Sequence, residues 1–201
     1  MKHFKLSSET KIYGTTMLHR IEALIDLPQH DVKVGDIGGW IERESNLSGN
    51  AWIAGDAQVF DNAQVFGNAQ VYGNARVSDN AHVYGNARVS DNAQVYGNAH
   101  VYGNAQVFGN ALVSGNARVS DAALVFGDAW VFGNAQVSGD AQVYGNARVS
   151  GCALVFGVAH VYGDAQVSGD AQVHGNARVS GDARVFGDAR VSGDVWLFDG
   201  K

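Results

Sequence analysis

The chain has one proline, one cysteine, and no lysine between residues 34 and 200. A single cysteine, Cys152, leaves no internal disulfide framework and fits a reducing compartment. A single proline beside 26 glycines excludes collagen and argues against a disordered Pro/Gly linker. Threonine is confined to Thr10, Thr15 and Thr16, which removes the Thr ladders of an ice-binding helix. No apolar run approaches the ~18 residues of a membrane span, and the opening MKHFKL continues polar. Neither a membrane association nor a leader is therefore expected, and the expected location is the cytoplasm. A net charge of −6 disfavours direct binding to nucleic-acid phosphates. It leaves room for a basic partner, or for solubility alone.

What is present is a beat of six. Every sixth residue from Leu47 to Leu197 is aliphatic, nearly always Val, over 25 consecutive steps without insertion. The hexad reads Val, then Tyr/Phe/Ser, Gly, Asn/Asp, Ala, then Gln/Arg/His. Ala and the following Val are two apart, so both point to one side of a strand, the core side. The residues flanking Val point outward. Gly and Asn/Asp tolerate the positive φ that a corner demands. Asp stands in the Gly place at positions 61, 79, 91 and 121, as a left-handed corner allows. Three hexads close one triangular coil, giving an all-β parallel β-helix of roughly eight coils, roughly 40 Å long at a strand spacing of ~4.8 Å. A five-residue period, the mark of the four-sided solenoid, is absent. Residues 1–40 are not repetitive: FKLSS, TKIYG and TTMLHRIEALIDL alternate as short strands do, with turn residues in PQHD and VGDIGG. They are expected to form a small β-rich cap over the first coil, with residues 41–201 forming the repeat.

The hexads VYGNAR, VFGNAQ and VSGDAR resemble the hexapeptide-repeat family of left-handed parallel β-helices, and the hand of the helix is implied by that resemblance. The segment VKVGDIGGWIERESNLSGNAW is similar to the opening of a YdcK-like subfamily, and long YGNA arrays are similar to short phage and prophage members. The resemblance implies a homo-oligomer, with a trimer favoured. It also implies acyl transfer from acetyl-CoA or acyl carrier protein at sites between subunits. Active members carry a catalytic His, often near a loop extruded from the coils. No such loop follows Leu47, so no catalytic residue is carried over.

Stacking every third hexad builds three outward faces. The residues after Val run Phe66, Tyr84, Tyr102, Ser120, Ser138, Phe156, His174 and Ser192 on the first. They run Tyr72, Ser90, Phe108, Phe126, Tyr144, Tyr162, Ser180 and Phe198 on the second. The third runs Phe60, Ser78, Tyr96, Ser114, Phe132, Ser150, Ser168 and Phe186. Arg precedes Val in seven hexads, and in six of them Ser follows it. The small Ser leaves room for a guanidinium to lie over a ring of the next coil, as Arg88 would between Tyr72 and Phe108. Where Arg is missing, apolar residues gather. Phe108, Phe126, Tyr144 and Tyr162 occupy successive coils beside Leu124. Leu112, Trp130 and Phe132 cluster on the third face, and Leu154 and Phe156 on the first. Such residues are expected to mark an oligomer or partner interface.

Three histidines are the candidates for chemistry. His82 and His100 lie one strand spacing apart on the first face, and His160 lies on the second. A His pair suits metal binding or acid/base work. No Cys or carboxylate in the outward columns completes a tetrahedral set, and the position takes polar fillers, so the filler reading is preferred and no metal is expected. Asp140, Asp164, Asp170, Asp182, Asp188 and Asp194 sit in corners on three separate edges and are read as solvated. Ala122, Cys152 and Val158 remove polarity from corners, which suggests packing against another subunit.

The leading expectation is a non-catalytic binding or structural solenoid, self-associating through its aromatic faces and binding a host protein or small molecule, with no cofactor. The alternative is a CoA-dependent acetyltransferase, with acetyl-CoA as cofactor. An acidic mimic of nucleic acid is weakened by the repeat's own Arg residues. Trp196, Leu197 and Phe198 are expected at an open end, where a bare strand edge invites pairing.

Overall fold

The computed structural model describes residues 2–199. Strands β1 (Phe4–Tyr13) and β2 (Thr16–Ala23) form an antiparallel hairpin, turning at Gly14 with φ +60°. β2 pairs antiparallel with β3 (Ile37–Ile41), and β3 pairs in parallel with Gln58–Val59. The hairpin thus extends the third face of a parallel β-solenoid. From Trp52 onward almost every strand is two residues long, the outward residue plus its Val, paired in register with the strands 18 positions away. The three sheets hold 11, 9 and 8 strands and correspond to the third, second and first faces.

The solenoid makes about nine turns where the hexad count suggested about eight. The difference is β3, expected to be turn because of its GG pair. A Cβ on Gly38 would lie 2.5 Å from the Ile21 side chain and 2.6 Å from the Ile53 carbonyl. Glycine is there to let β3 pack closely, and not to turn the chain. FKLSS and TKIY merge into one strand, with a register shift between Leu6 and Thr10.

The inward Ala and Val residues are fully buried from Ala51 to Val179. They form one continuous core with Phe4, Ile21 and Leu27 of the N-terminal segment and with Ile41 of β3. The corners are closed by backbone pairing between coils, as in Asn86 N–H to the Gly103 carbonyl at 2.7 Å. Asp61, Asp79, Asp91 and Asp121 adopt φ of 56–59°, in line with the left-handed corner expected for them. All four also accept the N–H of the corner one coil on: Asp61 from Asp79, Asp79 from Gly97, Asp91 from Gly109 and Asp121 from Gly139. At the other end Val195, Trp196, Leu197 and Phe198 are exposed, as expected for an uncovered coil. No helix is long and apolar enough to cross a membrane.

Candidate interaction faces

Register fixes the outward columns. Each residue beside Val stands directly over its counterpart 18 positions on, one strand spacing away. On the second face this builds a ladder of four rings. Phe108–Phe126, Phe126–Tyr144 and Tyr144–Tyr162 stack with centroids 4.8, 4.8 and 4.9 Å apart and planes within 4° of parallel. The ring faces are consumed by each other, so the ladder offers the outside mainly ring edges. All four rings are half-buried, and Leu124 is half-buried in the column beside them. Stacking of this kind contributes about 0.5–1.5 kcal/mol per pair beyond area burial.

The other expected interface residues do not join this ladder. Leu112, Trp130 and Phe132 lie on the third face, where Trp130 meets Phe132 edge-on at 6.3 Å and is 43 % exposed. Leu154 and Phe156 lie on the first face, where Phe156 stacks on His174 at 4.7 Å. The candidates therefore make three separate apolar patches, one per face.

The guanidinium arrangement differs from the expectation. Arg88 lies over neither Tyr72 nor Phe108 among the described contacts. Arg148 stacks instead on Trp130, its neighbour in the column before Val, at 5.3 Å, and Arg76 covers Tyr13 of the cap hairpin at 4.9 Å. The Ser that follows Arg in three of these hexads (Ser90, Ser120 and Ser180) is itself buried. Arg148 thus reaches a ring in its own column and Arg76 a ring of the N-terminal hairpin.

The histidines are split as well. His82 and His100 sit together on the first face, ring centroids 4.9 Å apart, beside the stack Phe66–Tyr84–Tyr102. His160 is alone on the second face, edge-on to Tyr144. Burial lowers the pKa of His100, with His82 and Arg118 acting in the same sense. Burial and Arg178 lower that of His160. Both rings therefore favour the neutral form. Burial, reinforced by Tyr162 and opposed by Arg178, raises the Tyr144 hydroxyl's pKa. None of the three histidines lines the cavity under the cap or those around the C-terminal coil. Among the described residues no group of three or more His, Cys, Asp or Glu converges as metal ligands would.

Two features escaped the sequence reading. The first is a set of amide ladders at the corners. Asn62, Asn80, Asn98 and Asn116 each donate Nδ2–H to the next Oδ1 in line, ending at Asn134, at 2.9–3.2 Å. Ladders also run from Asn50 to Asn104 and from Asn74 to Asn110. Asn110 then donates to Asp128, Asn146 to Asp164 and Asn176 to Asp194, acceptor-only residues that end the chain of donors. Asn134 meets the Cys152 sulfur at 3.9 Å. The signal was available as Asn recurring every 18 residues.

The second is a cavity of about 380 Å³ between the cap loop and the second face, lined by His30, Asp31, Val32, Trp52, Gln70 and Tyr72 among others. His30 is a strut there. Its Nε2 bonds the Asn50 carbonyl at 2.6 Å and its Nδ1 meets the Gln70 amide at 2.6 Å. His3, buried nearby, bonds the Ala51 carbonyl at 2.9 Å. Burial lowers the pKa of both, their backbone hydrogen bonds opposing. Nothing in the residue pattern of 1–40 places these rings against the first coil.

Eight stretches of the chain match the family model described as YdcK beta solenoid repeat: residues 69–85, 81–95, 93–107, 105–121, 141–157, 171–185, 177–193 and 183–197. Together they cover just under half of the chain. The gaps between them, 122–140 and 158–170, hold Ala122, Leu124, Trp130 and Val158, residues that depart from the hexad's usual choices. A comparison with curated proteins found no match. The chain is a three-faced parallel β-solenoid whose repeats are similar to those of the YdcK β-solenoid family.

Proposed function

We propose that the protein is a non-catalytic structural rod that self-associates through its aromatic faces, the second face first, and in that state holds a partner protein or small molecule. The carrying observation is the ladder Phe108–Phe126–Tyr144–Tyr162 with Leu124 beside it. The hexad's own alternatives at these positions are Ser and a polar residue, and the coils above and below use them. A flat sheet face bearing a straight row of ring edges is self-complementary under a two-fold axis. Burying such a stripe against a second copy removes apolar area at roughly 25 cal/mol per Å². A trimer is the assembly that the sequence resemblance favours.

Acetyl transfer is the competing reading, and the geometry supports it less. No coil extrudes a loop, and the candidate histidines are spread over two flat faces. A calorimetric titration with acetyl-CoA separates the two. The rod reading expects no saturable heat. Binding that is lost with His82→Gln, His100→Gln or His160→Gln would replace it with the enzyme.

A further inference from the structure

The first face carries an arrangement that self-association leaves unused. His82 and His100 are register partners in adjacent parallel strands, so their side chains leave the sheet in the same direction, one strand spacing apart. Their ring centroids are 4.9 Å apart and the planes are inclined at 60°, so the rings do not lie flat against each other. Each ring is held in this stance by an aromatic one coil below: His82 stands edge-on to Phe66, and His100 edge-on to Tyr84, both at 6.2 Å. Neither imidazole has a hydrogen-bond partner among the described residues. His3 and His30, by contrast, spend their nitrogens on the Ala51 and Asn50 carbonyls and on Gln70.

We propose that His82 and His100 are the two protein ligands of an open divalent transition-metal site of the zinc class on the first face. Imidazole is a preferred donor for such ions, with bonds of about 2.0–2.1 Å. A pair of half-buried rings already set side by side loses little rotamer freedom on chelating one ion. Among the described residues no third protein donor converges on the pair, so the remaining positions are left for water or a donor atom of a bound ligand. Two protein ligands fall short of the four that close a structural zinc site, so the site is open. Arg118 follows His100 in the column and opposes a cation there, which keeps affinity below that of a structural zinc site. His160 lacks such a partner, since its column neighbours are Gln142 and Arg178.

The test is a calorimetric titration of the full chain with Zn²⁺, compared with His82→Gln, His100→Gln and the double variant. Gln fills the same hexad position in many coils, so these changes keep the repeat intact, and far-UV circular dichroism checks the fold. His160→Gln is the control. One saturable equivalent is expected for the parent, weakened at least tenfold by either single change, abolished by the double change and unaffected by the control. The proposal is overturned by no saturable uptake in the parent, by uptake that survives in the double variant, or by a loss in His160→Gln equal to that in His82→Gln.

Discussion

The two ends of the rod are built on different terms. At the N-terminal end Phe4, Ile21 and Leu27 seal the first coil and are essentially inaccessible. Arg20 ties the hairpin to that coil, donating to the Gly38 and Gly55 carbonyls, and Trp40 lies between Arg20 and Lys11. At the C-terminal end Phe186, Trp196 and Phe198 are 64–69 % exposed, and Ala189 has lost the burial of every earlier core Ala. The corners change in the same direction. Continuous amide ladders bond coil to coil from Asn50 to Asn134, whereas nearer the C-terminus single Asn–Asp pairs remain, Asn146–Asp164 and Asn176–Asp194, and Asp170 and Asp188 stand one above the other with no donor between them. In a stack where each coil touches only its neighbours, this difference makes stability a gradient along the axis. Opening should begin at the C-terminal coil and reach the cap last.

The largest expected contrast comes from two glycine substitutions. Gly38→Ala drives a methyl into Ile21 and the Ile53 carbonyl, and should cost about 3 kcal/mol in overpacking. Gly187→Ala meets nothing within 4 Å, and carries only the penalty of a left-handed corner at φ +63°, about 1 kcal/mol. Segment-resolved hydrogen exchange should show Gly38→Ala loosening residues 4–59 and Gly187→Ala leaving them unchanged. Equal effects at the two ends would remove the gradient.

A smaller contrast comes from pH. The lowered pKa values of His3 and His30 mean that the unfolded chain binds protons more readily than the folded cap. Their contribution is complete above the ordinary His value near 6.5 and is lost as pH falls through the lower folded values. Between pH 7.5 and 5, exchange in residues 4–36, corrected for its intrinsic pH dependence, should accelerate. The strand Trp196–Asp199, which has no such histidine, should not follow. His30→Gln should reduce the response of the cap.

The smallest contrast lies within one corner edge. Asn98→Asp removes the donor to Asn116 and should cost about 0.5–1 kcal/mol locally, while Asp170→Asn supplies a donor toward Asp188 and should return a few tenths. Protection at Asn116 and at Asp188 reports the two signs. A loss at both positions would mean that the ladders do not bind coil to coil.

The hexad made the solenoid legible because one pattern repeats 25 times, and alternation within Ala-x-Val assigns the core without ambiguity. The outward columns followed by arithmetic, which is why the ladder Phe108 to Tyr162 was visible before the structure. The N-terminal segment was legible only as short alternating strands. Its contacts are irregular and long-range, and no period brings His30 to Gln70 or Gly38 to Ile21. The Arg contacts were misjudged for a related reason. Spacing gives the column a side chain occupies, but which ring a flexible guanidinium covers depends on packing across columns, as Arg148 over Trp130 shows.

Self-association through the second face is tested most directly by native mass, measured by light scattering or sedimentation on the parent and on a Phe126→Ser/Tyr144→Ser variant. Ser occupies the same hexad position in other coils, so the variant keeps the rod and removes two rungs of the ladder. The account predicts an oligomer for the parent and a shift toward the 21.3 kDa monomer for the variant. A monomeric parent, or an oligomer that survives the substitution unchanged, would contradict it.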